Sequence, residues 1–133
     1  MNLNLGDYML TQEQIDSICE DLGGPLSFLW SYIGRANGIP PQLRDPDSFE
    51  KRKNDFLFIV GKLLDEGKLK LAKKGEFING TTEELVEMFR SSFPTSDEEM
   101  QRGTWFFFDE CPAGAVWVLK GEGENGEDYY DWT

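Results

Sequence analysis

Apolar residues recur at three- and four-residue intervals in four stretches of the chain, which is the spacing of amphipathic helices. The predicted helices cover residues 11–22, 25–36, 48–66 and 82–93. Thr11 and Gln14 form a capping-box pattern at the first helix, and Ser48 is placed to cap the third. Glycine or proline follows the first, third and fourth helices and stops them there.

Elsewhere the pattern changes to the alternation of apolar and polar residues that is typical of strands. Lysine alternates with leucine from residue 68 onward, as in a strand with one face in water. The many lysines favour a position at the edge of a sheet, where charge discourages unwanted pairing. Residues 77–78 predict a second short strand, and the aromatic residues at 129–132 predict a last one.

Residues 103–120, GTWFFFDECPAGAVWVLK, predict a β-hairpin. Two apolar runs flank Cys-Pro-Ala-Gly, which suits a type I turn followed by a left-handed glycine. Pairing Cys111 with Ala115 gives the hairpin two apolar faces, one with Trp105, Phe107, Trp117 and Leu119 and the other with Phe106, Phe108, Val116 and Val118. One face is expected to meet the helices. The other must be covered by the C-terminal tail, by a second layer or by a partner molecule.

Together these elements predict an α+β fold in which about four helices pack on a small antiparallel sheet centred on the hairpin at residues 104–120. The 133 residues suit one modest core, and we expect residues 1–133 to form a single α+β domain. No apolar run reaches the roughly 18 residues of a membrane span. The first ten residues lack the features of a signal peptide, so we expect a soluble cytoplasmic protein with no membrane partner.

Acidic residues outnumber basic ones and give a formal net charge of −12. The excess lies at both ends, because residues 1–34 hold five acids and no base, and residues 97–133 hold ten acids and two bases. Such a field repels phosphate backbones and attracts cationic partners, so we expect no nucleic-acid partner. The alternative, that the acids only keep the protein in solution, stays open.

A basic run interrupts this pattern at Lys51, Arg52 and Lys53, where the third helix begins. The N-terminal end of a helix is unfavourable for cations, and we expect the run to form a solvent-exposed face rather than a phosphate site. The helix and the lysine-rich strand after it are similar in order to a winged-helix DNA-binding module. The acidic helices on either side argue against that function.

Few residues offer catalytic chemistry. The chain has no histidine, and Cys19 and Cys111 alone cannot form a structural zinc site, so we expect two reduced, buried thiols. Asp109 and Glu110 beside Cys111 are expected to raise its pKa and oppose thiolate formation. The acids of residues 122–131 do not follow the spacing of a calcium loop, and the glycines there lack the Lys-Ser/Thr ending of a phosphate loop. We therefore predict no catalytic residue, no metal site, no cofactor and no enzymatic activity.

The runs WFFF and CPAGAVWV, with the length and acidity of the chain, resemble a family of small uncharacterised acidic bacterial proteins, the domain of unknown function 596. The resemblance is strongest over the last third of the chain. It implies a cytosolic α+β bacterial protein without an assigned reaction, and it brings no functional residues. Small acidic proteins of this kind also resemble the immunity partners of bacterial toxin systems, which occlude cationic nuclease-like toxin domains.

These features lead us to interpret the chain as an acidic protein-binding module, most concretely an immunity protein that neutralises a basic toxin domain by occlusion. Acids of the first helix and the tail steer and pair with lysines of the partner, and aromatic residues of the tail anchor it. The predicted partner-binding residues are Glu13, Asp16, Glu20, Glu124, Asp128, Tyr130, Asp131 and Trp132. The alternative is a housekeeping domain that forms a homodimer through an aromatic face of the sheet, without catalysis.

Overall fold

The computed structural model of the chain describes residues 10–20, 23–39 and 45–133, which contain α-helices and one small sheet. The α-helices of these ranges are α1 (Gln12–Glu20), α2 (Leu26–Ala36), α3 (Pro46–Asp65), α4 (Thr82–Ser92) and α5 (Asp97–Met100). The strands are β1 (Leu69–Lys73), β2 (Glu76–Phe77), β3 (Gly114–Leu119) and β4 (Tyr129–Trp132), and short 3-10 helices cover Gln101–Phe107 and Glu124–Gly126. The α+β class is confirmed, with five α-helices in the described residues where about four were expected.

Local capping explains where the helices begin. At α1 the Thr11 N–H donates to Gln14 Oε1 at 2.9 Å, and the Gln14 N–H donates to the Thr11 hydroxyl at 3.1 Å. Helix α4 begins with an equivalent capping box. Helix α3 begins at Pro46, so the prediction of Ser48 as its cap is wrong. Proline suits the first helical position because no intrahelical partner exists there for an N–H.

The core lies between α2, α3, α4 and one face of the sheet, which we call the inner face. The helices contribute fully buried side chains, including Leu29, Ile33, Phe56, Ile59, Val60 and Phe89. Strands β1 and β3 contribute the facing residues Leu69, Leu71, Ala115 and Trp117. Trp117 Nε1 also donates to the Gly24 carbonyl at 2.8 Å, which ties the sheet to the start of α2.

The predicted hairpin at residues 104–120 is wrong in its first arm. Residues Gln101–Phe107 form a kinked 3-10 segment, with positive φ at Arg102 (59°) and at Gly103 (94°), a left-handed conformation that favours glycine. Trp105 is buried, and its ring centroid lies 5.3 Å from that of Phe93 in the helical core. Burial of Trp105 in the helical core therefore overrides the high strand propensity of the run.

The strands form one antiparallel sheet in the order β2-β1-β3-β4. Strand β3 instead forms a hairpin with β4, with Val116 opposite Trp132, and β1 forms a second hairpin with β2. The predicted strand at residues 129–132 is confirmed as β4. The lysine-rich strand β1 lies between β2 and β3, so its predicted edge position is wrong, and the edges are β2 and β4.

A buried ion pair between Arg52 of α3 and Asp97 of α5 joins two distant parts of the chain. Arg52 Nη1 and Nη2 donate to the two carboxylate oxygens at 2.8 and 2.9 Å, and the two side chains are only 3% and 9% exposed. Arg52 also donates to the Ser48 hydroxyl and to the Asp45 carbonyl, each at 2.9 Å. The guanidinium carbon lies 5.5 Å from the centroid of the Trp30 ring. Hydrogen bonds and an aromatic neighbour thus compensate the buried charge.

The expectation that the basic run of α3 forms a solvent-exposed face is therefore wrong for Arg52. Its neighbours are also engaged within the fold. Lys51 pairs with buried Asp55 at 2.9 Å, and the Asn37 side chain donates to the same carboxylate at 3.2 Å. The Lys53 ammonium lies 5.9 Å from the centroid of the Phe93 ring. The run neutralises acids and contacts rings inside the fold.

Replacing Arg52 by methionine removes the cation of this buried ion pair, while the Asp45 N–H still donates to the Asp97 carboxylate. We expect Arg52→Met to lower the free energy of unfolding by about 3–5 kcal/mol, because removing one partner of a buried ion pair is costly. Urea denaturation followed by tryptophan fluorescence measures this change. Lys62→Met is the matched control, since it breaks the more exposed Lys62–Glu66 pair, and we expect a much smaller loss. Equal losses would contradict a special role for the buried pair.

Candidate protein-binding surface

Three aromatic side chains lie together on the outer face of the sheet, opposite the helices. Phe77, Tyr130 and Trp132, here called the aromatic cluster, are 39%, 40% and 47% exposed. The Phe77 ring centroid lies 4.9 Å from that of Trp132 and 5.5 Å from that of Tyr130. Mutual contact makes these rings one continuous apolar patch rather than isolated surface residues.

The register of the sheet explains why the rings meet. Side chains alternate between the faces of a strand, so Tyr130 and Trp132 share the outer face of β4, opposite Val118 and Val116 of β3. Phe77 extends from β2 at the other edge. The sheet curls, which brings rings from both edges into contact over the two valines. Both valines are buried beneath them.

The sequence does not determine what covers the second apolar face of β3. In the structure the rings of the C-terminal strand cover that face, and the aromatic cluster is the layer that solvent reaches. Lys70 of β1 places its ammonium 5.4 Å from the centroid of the Phe77 ring. One ring of the cluster thus already contacts a cation, an arrangement that aromatic faces favour.

Acidic residues of the β3–β4 loop and of β4 lie beside the cluster in the chain. Asp128 accepts a hydrogen bond from the Gly121 N–H at 3.1 Å, and its carboxylate lies 3.7 Å from the Lys120 ammonium. Glu124 is exposed in the short 3-10 helix of the loop. Asp131 is half-buried on the inner side of β4. Asp128 therefore closes the loop, whereas Glu124 presents its charge at the surface.

The acids predicted on the first helix lie on a separate element. Glu13, Asp16 and Glu20 are all exposed on α1. Asp16 accepts a hydrogen bond from the Gln12 side chain at 2.8 Å. Among the described residues, no hydrogen bond or ion pair connects these acids to β4 or its loop. The structure thus brings the predicted tail residues together and leaves the α1 acids outside the aromatic cluster.

Phe77 and Lys70 also belong to this surface, and the sequence did not identify either of them. The strands that carry them were predicted, but the face that Phe77 occupies follows from its pairing with Ala72 and from the curl of the sheet. Neither feature is encoded by a local pattern. The sequence offers one indication that Phe77 belongs to this surface. It is a large apolar residue directly after the polar turn KKGE, and its ring is partly covered when another ring lies beside it.

A groove between α3 and α4 is a second candidate surface. This groove of about 810 Å³ has a floor that includes the apolar side chains Leu57, Phe58 and Val86. Its charged rim is largely paired within the protein: Lys62 lies 2.6 Å from Glu66, and Arg90 lies 3.4 Å from Glu87. The groove therefore offers less uncompensated charge to a partner than the tail does, and the aromatic cluster is the stronger candidate.

Neither cysteine is arranged as a nucleophile. Cys111 is buried, and its Sγ donates to the Ala113 carbonyl at 3.3 Å. Burial raises the pKa of the Cys111 thiol, so the cause is desolvation rather than the neighbouring Asp109 and Glu110 named from the sequence. Burial also raises the pKa of Cys19. Both thiols are thus held in the neutral, weakly reactive form.

Of the tail carboxylates, that of Asp128 contacts the Gly121 amide and the Lys120 ammonium. In residues 10–20, 23–39 and 45–133, no three acidic or cysteine side chains lie close enough together to hold a metal ion. Over the same ranges, no helix combines the length and the apolar character needed to cross a bilayer.

Comparison with known families places this fold. The profile of DUF596, a protein family of unknown function, matches residues 64–133, more than half of the chain and the part that contains the aromatic cluster. The chain belongs to the DUF596 family. The resemblance carried by WFFF and CPAGAVWV is therefore confirmed.

A solved structure is similar to nearly all of the DUF596 chain. It is that of an uncharacterised protein conserved in bacteria, from Neisseria meningitidis, which is 31% identical in sequence with a TM-score of 0.66. The alignment covers 96% of this chain and 94% of that one. Comparison with curated proteins gives no match. The DUF596 protein thus shares its fold with a conserved bacterial protein.

Burial of Cys111 predicts slow alkylation of the native DUF596 protein. The pKa of the Cys111 thiol is raised in the folded protein, so folding favours the neutral thiol. The stability that this preference contributes is present below the unfolded-state pKa of the thiol and is lost as the pH rises through its folded-state pKa. We expect iodoacetamide at mildly alkaline pH to modify Cys111 far more slowly in buffer than in urea, with the half-buried Cys19 modified first. Mass spectrometry of the labelled peptides measures both rates. Native labelling of Cys111 at the urea rate would contradict its burial.

Proposed function

We propose that this protein is a non-catalytic, cytosolic protein-binding module, most concretely an immunity protein that neutralises a basic toxin domain by covering its surface. One observation carries the proposal: an exposed patch of three rings in mutual contact adjoins a strongly acidic tail. Residues 121–133 hold five acids and no base. This combination suits a partner that presents cations around an apolar centre.

The aromatic cluster supplies the anchoring half of such an interface. Hot spots of protein interfaces are enriched in Trp and Tyr, which bury a large area for few rotatable bonds. Trp132 rests against Phe77, so its side chain is restrained before a partner arrives. Restraint of this kind lowers the entropy that binding must overcome. Trp132 and Tyr130 are therefore the proposed anchors.

The acids supply the steering half. With a net charge of −12, the protein attracts cationic domains over distances beyond direct contact and raises their association rate. Glu124 is the clearest contributor from the tail because its side chain is exposed. The α1 acids Glu13, Asp16 and Glu20 add to the same field from a separate element. In this proposal the acids set the rate of encounter and the rings set the lifetime of the complex.

The test is whether a toxin domain is encoded beside the gene and, if so, whether that domain binds this protein. We expect a complex whose affinity falls as salt increases, because steering by exposed charges is screened. We expect Trp132→Ala to weaken the affinity at least about 30-fold, the ratio that corresponds to the roughly 2 kcal/mol of an interface hot spot. Calorimetry measures both effects. Co-expression in cells shows whether the wild-type protein prevents toxicity.

Two matched variants separate the site from the rest of the surface. Phe107→Ala removes a more exposed ring, at 66%, from outside the aromatic cluster, and we expect it to leave the affinity unchanged. Glu124→Gln is preferred to a change at Asp128, which closes the loop, and we expect it to slow association. If the neighbouring toxin domain shows no salt-sensitive binding, the proposal is wrong. Equal effects of Trp132→Ala and Phe107→Ala would remove the aromatic cluster as the site.

A homodimer through the outer face of the sheet is the second candidate, and the exposure of the aromatic cluster is the observation that favours it. Two copies packed this way cover their rings mutually. The cost is the approach of two acidic tails, each with five acids in residues 121–133. Light scattering measures the mass in solution. A strict monomer counts against the dimer, and a dimer disrupted by Trp132→Ala supports it.

A further inference from the structure

Strand β4 ends the sheet and presents an open edge. The Thr133 N–H donates to the Ala115 carbonyl, which fixes the hydrogen-bonding phase of the β3–β4 pair. In an antiparallel pair this phase alternates, so the Asp131 N–H also faces β3, and the N–H and C=O groups of Tyr130 and Trp132 face away from it. Within the described residues, no strand lies on that outer side.

The side chains of β4 give this edge two chemically different sides. Tyr130 and Trp132 place rings on the outer face, and Asp131 places a carboxylate on the inner side. A neighbouring antiparallel strand sets its own side chains directly opposite these residues. The complementary strand therefore alternates, with apolar residues facing the rings and a basic residue facing Asp131.

We infer that β4 is an acceptor for an extended cationic segment of the partner, which adds to the sheet as a fifth, antiparallel strand. This inference rests on the proposed function, since the cationic partner comes from it. Backbone hydrogen bonds to Tyr130 and Trp132 supply the pairing, the rings hold the apolar residues, and Asp131 and the acids of the loop hold the basic ones. The antiparallel direction follows that of every other pair in the sheet.

A second copy of β4 is a poor occupant of the same edge. Antiparallel pairing of two β4 strands brings Asp131 of each copy toward Asp131 of the other. The loop acids Glu127 and Asp128 directly precede β4 and add to the repulsion. Like charges placed opposite each other destabilise a strand pair. The acids thus reject self-pairing and select a basic segment.

Amide exchange with a defined peptide tests the inference on the full-length protein. The probe is Ac-KVKVKVK-NH2, whose valines match the outer face and whose lysines match the inner side. The control is Ac-KPKPKPK-NH2, which has the same charge but lacks the N–H groups that face β4. With the first peptide at millimolar concentration, we expect the Tyr130 and Trp132 amides to exchange at least about tenfold more slowly, and the Asp131 amide to change little. The proline peptide is expected to give no protection.

Each outcome bears on either the strand addition or the proposed function. Protection of neither amide by the valine peptide, or equal protection by both peptides, overturns strand addition. If the neighbouring toxin domain binds while the Tyr130 and Trp132 amides keep their free rates, strand addition is wrong and the proposed function stands. If the valine peptide protects both amides and the toxin domain does not bind, the edge accepts strands and the immunity function is wrong.

Discussion

The buried guanidinium of Arg52 constrains how the helical and sheet-forming parts of the chain meet. A charge that is only 3% exposed is tolerated when its donors are satisfied, and Arg52 uses Nε, Nη1 and Nη2 toward three different residues. Ser48 is in the first turn of α3, Asp45 lies just before that helix, and Asp97 begins α5. The Asp45 N–H also donates to Asp97 at 2.9 Å, so one carboxylate binds both the arginine and the backbone. The start of α3 and the entry to the C-terminal third of the chain are therefore fixed against each other.

This constraint determines which aromatic residues become core. Helix α5 leads directly into the 3-10 helix, which places Trp105 against Phe93 rather than beside β3. Strand β3 then pairs with β1 on one side and with β4 on the other. The last residues of the chain consequently form the cover of Val116 and Val118, and their rings remain half-exposed. Because Trp105 is buried away from the sheet, β3 pairs with β4 instead, and residues of β4 form much of the surface proposed for binding.

The parts of the fold that local sequence determines are those that could be predicted. The four predicted helices, the Thr11 capping box and the strand at residues 129–132 depend on neighbours a few positions away. The structure contains all of them, although α3 begins at Pro46 and not at residue 48. The failures involve distant contacts: Arg52 meets Asp97 across 45 positions, and β1 acquires neighbours on both sides. The run WFFF has the composition of a strand, but Trp105 is buried against Phe93 of the helical core instead of pairing in the sheet.

The residues of the candidate site also fall into two groups, those that the sequence predicts and those that only the fold identifies. Tyr130 and Trp132 could be named because they are large apolar residues in an acidic tail, whereas Phe77 enters the cluster only through register and curl. The α1 acids were grouped with the tail on charge alone, which carries no information about distance. Charge composition therefore predicts a cationic partner, whereas the location of the candidate surface follows only from the strand pairing.

An exposed edge strand is normally an aggregation risk, and β4 has features that reduce it without closing the edge. It is four residues long, and its central carboxylate and the acids before it oppose pairing with another copy. A strand this short provides few backbone hydrogen bonds, so pairing alone cannot give a stable complex. The aromatic cluster and the acidic field must add to it. In the proposed function, recognition therefore requires an extended segment in which basic and apolar residues alternate. Strand pairing, contact with the rings and attraction to the acids together give a specificity that none of these three interactions has separately.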